Sequence, residues 1–178
     1  LTRRAKDGFG IVTTAASHVS ELGKGWIGEM GVWSDNQIEG LTKLASSLKQ
    51  YGSLNLVQIF HGGMKAPFEI NNVIPVCPSK MMNESTGKLL ARDLKTDEIH
   101  QLIEDFSDAA KRCEDAGFDG IEVHGAHSYL ISQFLGSKTN RRTDEFGGSI
   151  ENRFRFLREI ILSICLLYTS PSPRDTLL

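Results

Sequence analysis

Three short apolar runs rich in β-branched and aromatic residues, Phe9 to Ala16, Leu54 to Phe60 and Phe118 to Val123, are separated by stretches long enough to hold a helix each. This spacing constrains the chain more than any other feature. Hairpin turns join antiparallel strands in a few residues, whereas parallel neighbours need a crossover of a dozen residues or more. Both intervals carry helical periodicity. After Ser34-Asp-Asn-Gln37, which reads as a capping box, Ile38, Leu41, Leu44, Ala45 and Leu48 share one face up to Gly52. From Thr96, expected to be the N-cap, Ile99, Leu102, Ile103, Phe106, Ala109, Ala110 and Cys113 form a second stripe that stops at Gly117. The order strand, helix, strand, helix, strand predicts a parallel α/β sheet with right-handed crossovers.

Within the second strand, Leu56, Gln58 and Phe60 fall on one face and Val57 and Ile59 on the other; in the third, Ile121 and Val123 alternate with Gly120, Glu122 and His124. His124 therefore leaves the strand at the carboxyl edge of the sheet, where α/β proteins build their sites. His127 and Tyr129 follow within six residues. On their own, the two imidazoles fit three roles: hydrogen-bonded structural groups, metal ligands, or donors to one substrate oxygen. A metal-dependent lyase or hydrolase would need a third ligand from another strand end, for which His61 is the candidate. A phenol holds its proton at neutral pH, so Tyr129 suits a general acid.

The motif His124-x-x-His127-x-Tyr129-Leu130 continues into Asn140-Arg-Arg142-Thr-Asp144-Glu-Phe-Gly147-Gly148-Ser149 and Asn152-Arg153-x-Arg155-Phe156. This long, irregular string resembles the old yellow enzyme family of FMN-dependent ene-reductases. The resemblance implies a (β/α)8 TIM barrel, of which this chain holds about strands 2–4 with their helices. It implies that His124 and His127 bind the carbonyl oxygen of an enone or enal substrate, that Tyr129 protonates its α-carbon, and that NADH or NADPH is the reductant. It further implies that Gln58, in Gln58-Ile-Phe-His61-Gly-Gly, meets the pyrimidine edge of FMN and that Ala16 lets the ring approach. Two positions depart from the family pattern: Ala15 stands where Glu is common, and Gly136-Ser137-Lys138-Thr139 replaces a usual Ser-Pro, which predicts a looser loop there.

At 178 residues the chain is shorter than the roughly 250 of a complete barrel. Residues 1–163 are therefore expected to form an incomplete FMN-binding barrel domain, with 61–95, which contains Pro67, Pro75 and Pro78, as a long covering loop of little regular structure. A last helix should open at Ser149 and bury Ile150, Phe154, Leu157, Ile160 and Ile161. Residues 164–178, with Pro171 and Pro173, read as a non-native or disordered tail, and the absence of an initiating Met suggests a start within a longer gene. On that expectation the complete enzyme is the oxidoreductase, while this polypeptide alone is an inactive piece that cannot hold FMN tightly.

Lys and Arg are interspersed with acids at a net charge of −2, which argues against nucleic acid or an anionic membrane as partner. No apolar run reaches the ~18 residues of a membrane span, and Leu1-Thr-Arg-Arg-Ala-Lys is no signal peptide. Cys77, Cys113 and Cys165 are too few and too far apart for a disulfide framework or a cluster. A cytoplasmic enzyme with a small-molecule substrate follows, and a homo-oligomeric assembly is left open.

Overall fold

The computed structural model describes residues 1–169, the side chains of the last two excepted. The elements are α1 (Thr2–Lys6), β1 (Ile11–Thr13), β2 (Ser17–His18), α2 (Ile38–Lys49), β3 (Leu54–Phe60), α3 (Phe68–Asn71), β4 (Val76–Cys77), β5 (Met81–Met82), β6 (Leu89–Asp93), α4 (Thr96–Asp115), β7 (Gly120–Val123), α5 (Leu130–Leu135) and α6 (Ile150–Thr169).

β3 is the middle strand of the main sheet. β1 and β2 pair in succession along one of its edges and β7 along the other, all parallel. The first strand thus runs further than its apolar run suggests and is interrupted. At the break Thr14 N still donates to Leu56 O at 3.0 Å, and Gln58 N donates to Thr14 Oγ1 at 3.2 Å, so a hydroxyl stands in for the missing carbonyl of the ladder. The architecture is α/β, and among the described residues the parallel sheet is open, not closed.

One face of β3 carries Val57 and Ile59, fully buried under α2 and α4. The stripe on α4 is buried as its period requires, from Ile99 through Cys113, whose thiol burial pushes up to about 12. Thr96 is not the N-cap of α4. Lys95 holds that position, and Glu98 reaches back to accept from Lys95 N at 2.8 Å, while Thr96 Oγ1 donates to Asp144 Oδ2. The capping box at Ser34 is formed, on a short 3-10 turn that leads into α2.

Two further expectations are corrected. The segment 61–95 is not structureless: β4 and β6 pair in parallel and β5 joins β6 antiparallel, a three-stranded sheet of its own. β4 and β5, of two residues each, are too short to show an alternation, so the prolines dominate the sequence there. On α6 the buried stripe is Phe156, Ile160 and Ile164, with Leu157 partly covered, whereas Ile150, Phe154 and Ile161 are exposed. Phe156 stacks on Phe134 at 4.2 Å between centroids and meets Phe106 edge-on at 6.3 Å, which locks α6 to α5 and α4. α6 also continues to Thr169, past the expected end at 163, and the rest of the expected tail lies outside the described residues.

Candidate active site

β7 delivers His124 to the carboxyl edge of the sheet, where His124 N still donates to Ile59 O at 3.0 Å. The chain then turns through His127 (φ 56°) and Ser128 (φ 57°), two consecutive residues in the left-handed region. That conformation costs about 1–2 kcal/mol at a residue with a Cβ, so something must hold it. Lys65 Nζ donates to His127 O at 2.8 Å, Gln133 Nε2 to Ser128 O at 2.7 Å, and Ser132 Oγ to Gly125 O at 2.7 Å. The turn folds the second imidazole back on the first, leaving His124 Nε2 and His127 Nδ1 3.1 Å apart.

Phe60, fully buried at the end of β3, is the floor of this cluster. The Tyr129 ring meets it edge-on at 4.7 Å, Trp26 packs at 5.7 Å, and His124 lies at 6.2 Å. Tyr129 in turn stands 5.3 Å from the His124 ring and 6.2 Å from that of His127. Lys65 Nζ sits 5.6 Å over the Tyr129 ring. Ala126 N donates to His124 Nδ1 at 3.4 Å, which leaves the proton of the neutral ring on Nε2. Burial and, after it, the neighbouring His127 hold His124 below the ordinary imidazole range, while Glu122 pulls the other way. The neutral donor form is thus favoured.

The residues expected to act together do come together: His124, His127 and Tyr129 form one cluster. His61 does not join it as a third metal ligand. It is buried, its Nδ1 accepts from Gly63 N at 2.9 Å, and burial lowers it to about 3. Among the described residues no three His, Cys, Asp or Glu side chains gather as a ligand set.

Gln58 lies on the inner face of β3, and its register partner on β7 is Glu122, whose Oε1 accepts from Gln58 Nε2. Ala15 and Ala16 fill the gap between β1 and β2 beside it with no more than a methyl each. A primary amide beside two side chains of one methyl each has the donor, the acceptor and the lack of bulk that the ring end of a flavin requires. The phosphate-binding loops of such barrels follow strands seven and eight, beyond the three barrel strands seen here.

Several supporting residues have roles that the sequence did not show, although Asn140, Arg142 and Asp144 lie within the family-like string. Gln133 sits inside the apolar run of α5 and is almost fully buried, where it also accepts from Met64 N. Gly63 (φ 60°) leaves room for it, since a Cβ there would lie 2.3 Å from Gln133 Oε1. Arg142 is a clasp: its guanidinium pairs with Asp144 and donates to Pro78 O and Leu94 O, tying the site loop to the covering sheet. Asn140 Nδ2 donates to Phe134 O and Phe146 O at 2.8 Å each. The loop at 136–139, expected to be loose, is tied back by Thr139 Oγ1, which donates to Gln133 O at 2.6 Å.

Residues 1–165 match the family model described as NADH:flavin oxidoreductase / NADH oxidase. The chain is 40% identical over 172 residues to the NADPH dehydrogenase of Clostridium acetobutylicum, covering 97% of this chain and 50% of that protein. The NADPH dehydrogenase of Bacillus subtilis is 38% identical over 168 residues, 94% of this chain and 48% of its own length. Among solved structures, the old yellow enzyme homologue from Zymomonas mobilis superposes with a TM-score of 0.83 at 33% identity, over 92% of this chain and 48% of that one. Morphinone reductase gives 0.84 at 31%, over 93% and 48%. The chain spans about half the length of these relatives. The open sheet, the clustered histidines and tyrosine, and a match over nearly the whole chain lead to one conclusion: this chain belongs to the NADH:flavin oxidoreductase family, that of the old yellow enzymes.

Proposed function

We propose that the complete enzyme to which this segment belongs reduces the C=C bond of α,β-unsaturated carbonyl compounds, with FMN as cofactor and NADH or NADPH as reductant. The observation that carries this reading is the 3.1 Å approach of His124 Nε2 and His127 Nδ1 beside the Tyr129 ring. In this geometry His124 Nε2–H donates to His127 Nδ1. A substrate oxygen set between the rings takes over that bond and, with His127 in its Nδ1–H tautomer, accepts from both nitrogens, in hydrogen bonds that strengthen as negative charge develops on it. FMN, when bound, supplies the hydride that reaches the β-carbon. Tyr129 delivers the proton to the α-carbon, and the buried Phe60 ring backs the cluster. Gln58 meets the pyrimidine edge of the ring, and Ala16 leaves it room.

The test is to reduce the complete enzyme anaerobically and add 2-cyclohexenone. The reading requires the yellow absorbance to return and cyclohexanone to form in equal amount. Reoxidation by oxygen but not by any enone or enal would overturn it.

A further inference from the structure

Gln58 and Glu122 are register partners on neighbouring parallel strands, and their side chains meet on the inner face of the sheet with Nε2 and Oε1 2.5 Å apart. The two ends of a primary amide have nearly the same shape and opposite hydrogen-bonding sense, so its orientation is decided by its partners. A carboxylate only accepts. Glu122 therefore admits the NH2 end of Gln58, and the amide oxygen with the second N–H is left to face the barrel interior. An alternating C=O and N–H edge needs that pair in that order. Glu122 also lies two residues before His124 on the same face of β7, and it is the one group among those acting on His124 that favours its charged form.

We propose that Glu122 is a positioning residue of the flavin site: it sets the orientation of the Gln58 amide toward the pyrimidine edge and holds a negative charge behind that edge. This rests on the reading of Gln58 given above. A carboxylate so placed opposes the gain of negative charge on reduction, so the flavin is harder to reduce than it would be beside a neutral partner.

The experiment uses the complete enzyme with Glu122→Ala, Glu122→Gln, Gln58→Ala and the double variant Glu122→Ala/Gln58→Ala. FMN affinity is read by fluorescence titration of the apo-enzyme and the midpoint potential by dye equilibration. Glu122→Ala should weaken FMN by about 10-fold, the scale of one hydrogen bond to a charged group. Glu122→Gln keeps an acceptor for the amide and should restore the affinity. The potential should move positive in both, because the charge is gone from both. The double variant should be no weaker than Gln58→Ala alone. Wild-type affinity and potential in both Glu122 variants, with Gln58→Ala still weakened, would overturn the proposal and spare the reading beneath it. Unchanged FMN affinity in Gln58→Ala would instead remove the assignment of Gln58 itself. Where Glu122→Ala fails to fold, the potential of Glu122→Gln decides.

Discussion

Tyr129 is asked to deliver a proton to carbon and nothing else, so its removal should separate the two halves of the reaction. Tyr129→Phe keeps the ring on Phe60 and loses only the hydroxyl. In the complete enzyme it should slow alkene reduction by about 100- to 10,000-fold and leave flavin reduction by nicotinamide near wild type, as stopped-flow traces of each half-reaction would show. Equal loss in both would take Tyr129 out of the acid role. For the histidines, His124→Ala and His127→Ala should each weaken phenol ligands, which place an oxygen at the same point, and the double variant should lose less than the sum. His61 is a different case, since it is buried and lowered to about 3. Between that value and its unfolded pKa near 6.5 the unfolded chain binds the extra proton, so folding stability falls as pH drops through this window, by up to about 1.4 kcal/mol per pH unit. Urea unfolding of the complete enzyme between pH 7 and 4 should show this slope, and His61→Gln should flatten it.

Elements are held by contacts that cross them, and α6 and the Arg142 clasp show how. Phe156 is fully buried between Phe106 and Phe134, so Phe156→Ala in the complete enzyme should cost about 3–5 kcal/mol by urea unfolding. Arg142 pairs with Asp144, whose carboxyl it holds below the usual range, and carries two carbonyls of the covering sheet. Its side chain is only 10% exposed, so Arg142→Ala leaves two carbonyls without this donor and Asp144 with only Thr96 Oγ1 and Phe146 N. We expect about 1–3 kcal/mol lost and new proteolytic cleavage within residues 76–94. A protection pattern identical to wild type would show the clasp to be dispensable.

For the molecule as a whole the open sheet is decisive. Ile11 and Leu54 on its inner face are 57% and 55% exposed, and the second apolar stripe of α6, Ile150, Phe154 and Ile161, faces solvent as well. Among the described residues β7 and β1 are edge strands of the sheet, whereas β2 is covered by a parallel bridge from His18 to Gly31, and open edges invite pairing with another chain. Domains are stable by only about 5–15 kcal/mol, and this much uncovered apolar surface is comparable with that margin. Residues 1–178 expressed alone should therefore be aggregated or molten and colourless. A monomer that unfolds cooperatively and binds FMN would refute this.

What the sequence determined by itself was the order of elements and the chemistry at one strand end. Alternation along β3 and the stripe on α4 are local periodicities set by burial, and they survive folding unchanged. The histidine pair was legible because residues 124–129 are contiguous, so one strand end must carry them together. Tertiary structure alone decided the rest. Two apolar stripes compete on α6, and the position of Phe106 and Phe134 in space selects the one through Phe156. Glu122 looked like one polar residue in an alternation until the register of β3 against β7 set it opposite Gln58, 64 residues away. Gln133 reaches Gly62 O, Lys65 reaches His127 O and Arg142 reaches Pro78 O, all carbonyls distant in sequence, and a carbonyl is the same in every residue, so no residue type announces which one is met.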